Sequence, residues 1–134
     1  MSRKSARVRD YMTAHLVAFK PDMDVLDAIH ELVLQGIAGA PVVDDHGDLI
    51  GMLSEFDCMK VALNAGYYSD RGGPVAEFMS TEVQTVDAEM SIIDLAQKFL
   101  ESGFRRFPVM KDHRLVGQIS RRDVLRALQH ISRN

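Results

Sequence analysis

The chain contains the same pattern twice. Val8-Arg9-Asp10-Tyr11-Met12-Thr13 aligns with Val75-Ala76-Glu77-Phe78-Met79-Ser80, matching in residue type at nearly every place. Further on, Met23 falls on Met90, Asp27 on Asp94, Gly36 on Gly103, Pro41-Val42 on Pro108-Val109 and Asp45-His46 on Asp112-His113. After a one-residue deletion in the second copy, Leu49 falls on Leu115, Gly51 on Gly117, Ser54 on Ser120 and Asp57 on Asp123. With Val8/Val75 and Met12/Met79 this makes thirteen identities in order, where chance would supply about three or four. A duplicated half has to fold the same way twice, so each copy constrains the other.

Each copy predicts a β-type segment (15–19; 82–86) and then a helix. The helix carries Val25, Leu26, Ile29, Leu32 and Val33 in the first copy and Ile92, Ile93, Ala96, Phe99 and Leu100 in the second, the apolar face of a 3.6-residue period. Asp24 and Ser91 stand where N-caps belong, and Gly36 and Gly103 where left-handed C-caps belong. A hairpin follows: strands around 41–43 and 49–53, or 108–110 and 115–119, joined by a polar turn. A last helix starts near Ser54 or Ser120, where Ser-x-x-Asp reads as a capping box with Asp for Glu. Domain boundaries of 8–63 and 75–131 result. Residues 64–74 form a linker, with three glycines and a proline in eleven places arguing against a continuing element. Tyr67 and Tyr68 of that stretch are expected to lie against the fold.

Composition narrows the function. At 134 residues with 46% hydrophobic and 26% charged side chains, the chain is globular in type. Its net charge of −3 argues against a bulk electrostatic grip on nucleic acid. The single Cys58 forms no internal disulfide, which favours a reducing, cytoplasmic setting, and no apolar run reaches the roughly 18 residues a membrane span needs. No Walker loop, Gly-x-Gly-x-x-Gly, His-Glu-x-x-His or Gly-x-Ser-x-Gly occurs. His15, His30, His46, His113 and His130 show no ligand spacing for a metal. Cys58 reads as buried filler. The expectation is no enzyme, no catalytic residue, no catalytic cofactor and no metal.

What remains is Gly-x-h-Ser-x-x-Asp, with h apolar, at Gly51–Asp57 and again at Gly117–Asp123. The glycine admits a close approach to the strand backbone. Serine and the amides of a helix start suit an anion. An aspartate one turn on offers acceptors to a vicinal diol such as ribose. Helix capping alone accounts for the same residues, and the phrase leaves both readings open.

Together the motifs resemble those of CBS domains, and the pair resembles a tandem CBS (Bateman) module. The carrying phrases are Val-x-x-Tyr/Phe-Met-Thr/Ser at each start, Gly-Ile-Ala-Gly-Ala-Pro-Val-Val-Asp and Gly-Phe-Arg-Arg-Phe-Pro-Val-Met in the middle, and Gly-x-h-Ser-x-x-Asp near each end. The resemblance implies an α/β (α+β) fold of two β-α-β-β-α units packed about a pseudo-twofold axis. It implies a regulatory protein that takes an adenosine-containing ligand between the units and dimerises. The candidate ligands are AMP, ADP, ATP and S-adenosylmethionine, with AMP first among them.

Carried over by position, the resemblance assigns the ribose contact to Asp123, phosphate or ribose contacts to Ser120 and Arg106, and the base lining to Gln118. Met12, Val17, Ile37, Ala38 and Gly39 would wall the adenine. A second cleft would use Asp57, Ser54 and Met52, with Met79, Gln84, Phe104 and Arg105 opposite. The second copy holds Arg105, Arg106, Arg121 and Arg122 where the first holds Ala38, Gly39, Glu55 and Phe56. Arginine recognises phosphate bidentately, and Glu55 would repel it. The Asp123 site is therefore the expected nucleotide site; a solvated basic face, or ion pairs with Asp112 or Glu101, is the alternative for the arginines. The expected role is a stand-alone regulator that binds a small adenosyl molecule and signals to a separate effector protein. The rival roles are a ligand-free dimerisation scaffold and a nucleic-acid binder using Arg3, Lys4, Arg7 and Arg9 with the second-copy arginines. Neither membrane nor nucleic acid is an expected partner.

Overall fold

The computed structural model describes residues 6–14, 17–68 and 72–133. In chain order the elements are α1 (Val8–Tyr11), α2 (Val25–Gln35), β1 (Gly39–Val43), β2 (Leu49–Ser54), α3 (Glu55–Tyr68), a 3₁₀ turn (Val75–Glu77), β3 (Val86–Asp87), α4 (Ile92–Ser102), β4 (Arg106–Lys111), β5 (Arg114–Ser120) and α5 (Arg121–Arg133). They form two compact units, and the units are not cut where the repeats are. The Asp57 unit holds residues 17–83; the Asp123 unit holds residues 84–133 together with 6–14. Arg3, Lys4, His15 and residues 69–71 of the expected linker lie outside the described residues.

Each unit thus takes its opening segment from the other repeat, and the same bonds seat it both times. Val8 N–H donates to Met90 O at 2.9 Å, and Val75 N–H to Met23 O at 2.8 Å. Thr13 and Gln118 exchange backbone bonds at 2.9 and 3.0 Å, as Ser80 and Met52 do at 2.8 and 2.9 Å. Val8 and Val75 are fully buried in the cores they join, each burial being worth about 1.5–3 kcal/mol.

This seating explains the motif glycines. A Cβ on Gly117 would stand 2.7 Å from Met12 Sδ and 2.8 Å from the Thr13 carbonyl. One on Gly51 would stand 2.6 Å from Met79 Sδ and 2.9 Å from the Ser80 carbonyl. What approaches the strand backbone is the chain's own Met-Thr or Met-Ser.

The helices start and stop as their caps dictate. Asp24 accepts from Leu26 N–H at 2.9 Å, and Ser91 from Asp94 N–H at 3.1 Å. Gly36 and Gly103 close α2 and α4 in the left-handed region. The antiparallel hairpins β1–β2 and β4–β5 carry bulges at equivalent places, Val42/Val43 and Val109/Met110. The one-residue deletion falls in the turn, where Asp112 (φ 50°) and His113 (φ 67°) make the tight two-residue link that strand twist favours.

Three expectations need correction. The β-type segments are short: Phe19 bridges Val42 singly, and residues 82–85 are not strand, since only Val86–Asp87 pair in parallel with β4. α3 runs on through Asn64 to Tyr68, because one glycine costs a helix only about 1 kcal/mol and no proline interrupts before Pro74. The apolar face of α2 and α4 is wider than its buried contact. Val25, Ala28 and Leu32, like Ile92, Leu95 and Phe99, enter the cores, but Val33 and Leu100 stay 76% and 87% exposed.

Candidate ligand site at the capped carboxylates

Both Ser-x-x-Asp phrases fold into reciprocal caps. Asp123 Oδ2 accepts from Ser120 N–H at 2.9 Å and from Ser120 Oγ at 3.1 Å, while Asp123 N–H donates to Ser120 Oγ at 3.3 Å. Ser54 and Asp57 repeat these bonds at 3.1, 2.9 and 3.1 Å. The cap fixes the carboxylate at a helix start beside the last residue of a strand, with one oxygen engaged.

The other oxygen distinguishes the units. Asp123 Oδ1 lies 3.5 Å from Arg126 Nη1, and the carboxyl side chain is 13% exposed. Arg126 also donates to the Tyr11 carbonyl at 3.2 Å and lies over the Tyr11 ring, and the Tyr11 hydroxyl bonds His130 Nδ1 at 3.0 Å. Sequence reasoning missed Arg126. Its signal was the i, i+3 spacing from Asp123, which places the two on one helix face. Its counterpart in the first repeat, Lys60, lies over the Phe56 ring instead.

Strand register assembles the rest of the Asp123 half-site. Arg106 lies opposite Ser120 across the β4–β5 ladder, and Gln118 lies opposite Pro108. Directly paired side chains share a sheet face, and so do residues two apart on one strand. Arg106, Ser120 and Gln118 therefore lie on one face, all half-buried, while Phe107 and Ile119 point into the core. Met12 joins this unit through the Thr13–Gln118 bridge and packs on its core.

The arginines divide. Arg121 donates from Nε to the Phe104 carbonyl and from Nη2 to the Gly103 carbonyl, both at 2.8 Å, so it serves as a side-chain cap for the end of α4. Arg105 hands its carbonyl to Arg121 N–H at 3.2 Å and is exposed, as is Arg122. Among the described residues Arg105, Arg106 and Arg122 make no ion pair, with Asp112 and Glu101 or otherwise.

In the Asp57 unit, Gly39 pairs with Ser54 and Pro41 with Met52, and Met79 sits against Gly51. Glu55 N–H donates to the Ala38 carbonyl at 2.8 Å, so the 37–39 segment is tied to the start of α3. Val17 and Ile37 pack half-buried against this unit's core. Gln84 and Phe104 belong to the Asp123 unit; both are exposed, with Phe104 edge-on to Phe107. Cys58 lies on the buried side of α3, and burial, reinforced by Asp57, pushes its thiol upward in pKa, the opposite of an activated nucleophile. No group of three metal-ligating side chains converges among the described residues, and no helix there is long and apolar enough to cross a membrane.

Comparison with known proteins agrees with this architecture. The family model described as CBS domain matches residues 8–64 and 75–130. The chain is 30% identical over 117 residues to the CBS domain-containing protein YhcV of Bacillus subtilis, covering 87% of this chain and 81% of that protein. It is 28% identical over 121 residues to the uncharacterized protein MJ1225 of Methanocaldococcus jannaschii, of which it spans 42%. Among solved structures, that of CBSX2 in complex with AMP superposes with a TM-score of 0.82 at 32% identity, over 95% of this chain and 98% of that one; a CBSX2 structure from Arabidopsis thaliana gives the same score. The CBS domain pair of MJ0100, solved with 5′-methylthioadenosine and S-adenosyl-L-methionine, shares the fold with a TM-score of 0.77 at 22% identity, over 93% of this chain and 97% of that one. With a matching domain in each repeat, the chain belongs to the CBS domain family as a tandem CBS pair, a Bateman module.

Proposed function

We propose that the protein is a regulatory CBS pair that binds an adenosine-containing ligand, AMP first, at the Asp123 site and passes its occupancy to a separate effector protein. Asp123 takes the ribose diol, Ser120 and Arg106 take the phosphate, and Gln118 and Met12 border the base. Val17, Ile37, Ala38 and Gly39 complete the base's wall in this reading. Arg105 and Arg122 add positive potential, while Arg121 acts from its place under α4. The Asp57 site, with Ser54, Met52, Met79, Gln84 and Phe104, is the weaker one, since Glu55 replaces an arginine. The observation carrying the proposal is the half-buried, cap-fixed Asp123 carboxylate, whose capping partner Ser120 lies across the ladder from an Arg106 that makes no ion pair among the described residues, in a chain 32% identical to a protein solved with AMP.

Titration calorimetry with AMP, ADP, ATP and S-adenosylmethionine tests it. Hydrogen bonds to a charged acceptor contribute about 1.5–3 kcal/mol, so Asp123→Ala should weaken AMP by about tenfold or more, and Asp57→Ala should leave it nearly unchanged. Asp123→Asn, which keeps one acceptor oxygen, separates lost binding from lost capping. Equal AMP affinity in wild type and both Asp123 variants would remove Asp123 from the site.

Self-association is the second part of the proposal. α2 and α3 leave Val33, Met59 and Leu63 at 76%, 57% and 62% exposure, and α4 and α5 leave Ile93, Leu100 and Leu125 at 56%, 87% and 67%. Two such apolar faces on one small chain mark interaction surfaces, and a homodimer is the assembly proposed for them. A ligand-free dimerisation scaffold is favoured instead if no adenosyl compound raises the melting temperature.

A further inference from the structure

Arg126 stands between the Asp123 carboxylate and the opening segment docked beside it. Nη1 lies 3.5 Å from Asp123 Oδ1, Nη2 donates to the Tyr11 carbonyl at 3.2 Å, and the guanidinium carbon lies 5.8 Å from the centre of the Tyr11 ring. The ring is fixed in turn by the bond between its hydroxyl and His130 Nδ1 at 3.0 Å, one turn further along α5. Contacts of three kinds thus hold one cation in place. The first copy has related parts in a different arrangement. Phe78 replaces Tyr11 and lacks the hydroxyl, and Lys60 replaces Arg126. Lys60 Nζ lies 4.9 Å from the centre of the Phe56 ring, a ring that the second copy exchanges for Arg122. Asp57 makes no ion pair among the described residues.

From this we infer that Arg126 sets the charge preference of the Asp123 site: it offsets the carboxylate that takes the ribose, so that a phosphate can be carried close to it. The inference rests on the ribose role proposed for Asp123. A lone carboxylate that binds the diol of a nucleotide also repels its phosphate, and repulsion over so few bonds survives partial screening by solvent. At 3.5 Å the Nη1 contact is an ion pair longer than a hydrogen bond, so Oδ1 keeps its lone pairs open to a hydroxyl while its charge is balanced. Its anchorage on Tyr11 keeps Arg126 at the carboxylate. It is therefore a positioning residue that acts through Asp123, whereas Ser120 and Arg106 meet the phosphate themselves.

Calorimetric titration of AMP, adenosine and S-adenosylmethionine into the full chain tests this, because the three share a nucleoside and are anionic, neutral and cationic at sulfur. The variants are Arg126→Gln, Arg126→Lys and Asp123→Ala, the last marking which binding belongs to the site. Arg126→Gln should weaken AMP by about three- to tenfold, leave adenosine within about twofold and tighten S-adenosylmethionine. Arg126→Lys, which keeps the charge, should return the AMP-to-adenosine ratio toward that of the wild type. The ratio is internal to each protein, so a partly unfolded variant lowers both affinities alike and stays readable. Parallel loss of all three ligands in Arg126→Gln makes Arg126 merely structural and overturns the inference, as does an unchanged AMP-to-adenosine ratio. If Asp123→Ala still abolishes AMP binding in those cases, the ligand reading stands without it. A wild type that binds none of the three, or that binds AMP as tightly as Asp123→Ala does, overturns the ligand reading and this inference with it.

Discussion

The Asp57 and Asp123 units use one scaffold for two electrostatic ends. Their opening segments, glycine contacts, hairpin bulges and serine caps correspond residue by residue. Among the differences are those at the starts of the first hairpin strand and of the last helix, where Ala38, Gly39, Glu55 and Phe56 of the first copy are replaced by Arg105, Arg106, Arg121 and Arg122 in the second. Backbone-level features stayed paired while side chains at the strand–helix junction diverged. What the copies share is therefore read as structure, and what separates them as function.

The largest test of the shared half is the motif glycine. Gly117→Val and Gly51→Val each drive a Cβ to within 3 Å of a carbonyl that backbone pairing holds in place. Each should cost about 1–3 kcal/mol in chemical denaturation, the usual range for overpacking. Similar losses are expected at both sites, since the contacts match. A silent substitution at either would break the equivalence of the units.

Cap removal comes next. Ser120→Ala and Ser54→Ala each delete a reciprocal cap worth about 0.5–2 kcal/mol, and denaturation should show similar losses. Ligand binding should then split them: Ser120→Ala lowers AMP affinity and Ser54→Ala does not. Arg106→Ala sharpens the contrast, weakening AMP by about tenfold with little effect on adenosine, which lacks the phosphate. Equal weakening of both ligands would assign Arg106 to the sugar or base.

Much of this was legible in the sequence because duplication doubled every weak signal. The caps at Asp24 and Ser91, the Gly36 and Gly103 stops, both hairpins and both Ser-x-x-Asp boxes follow from local chemistry that any single segment carries. Three features did not. Exchange of opening segments is a long-range event: Val8 is as apolar in either unit, and only the pairing of Thr13 with Gln118 decides where it goes. The breadth of the apolar stripe on α2 and α4 hid which edge would be buried, because Leu26 and Val33 satisfy the same period as Val25, Ala28 and Leu32. The bonds that tie Arg121 to the Gly103 and Phe104 carbonyls were not legible because those partners are eighteen and seventeen residues away in sequence.

The smallest expected difference lies where α1 docks. Glu89 accepts from Arg9 and, at 3.2 Å, from Lys111, and the Arg9 hydrogen bond first, then Lys111, pulls the Glu89 carboxyl below its ordinary range. The Asp57 unit has Asp22, Ala76 and Asp44 at the equivalent places, so the trio has no counterpart. A carboxyl depressed in the folded state stabilises fully above its unfolded value and loses that contribution as pH falls through the folded one. Acidification from about pH 6 to about pH 3 should therefore loosen α1 slightly more than the Val75–Glu77 turn. Hydrogen exchange, corrected for intrinsic rate, would report it at Val8 and Arg9, whose amides bond Met90 and Ala88, against Val75 and Ala76, whose amides bond Met23 and Pro21. The exposure of all three side chains keeps the effect small, because solvent screens such pairs. An equal change at both docks would mean that the backbone bonds and the buried valine alone hold the exchanged segments, with the ion trio contributing nothing measurable.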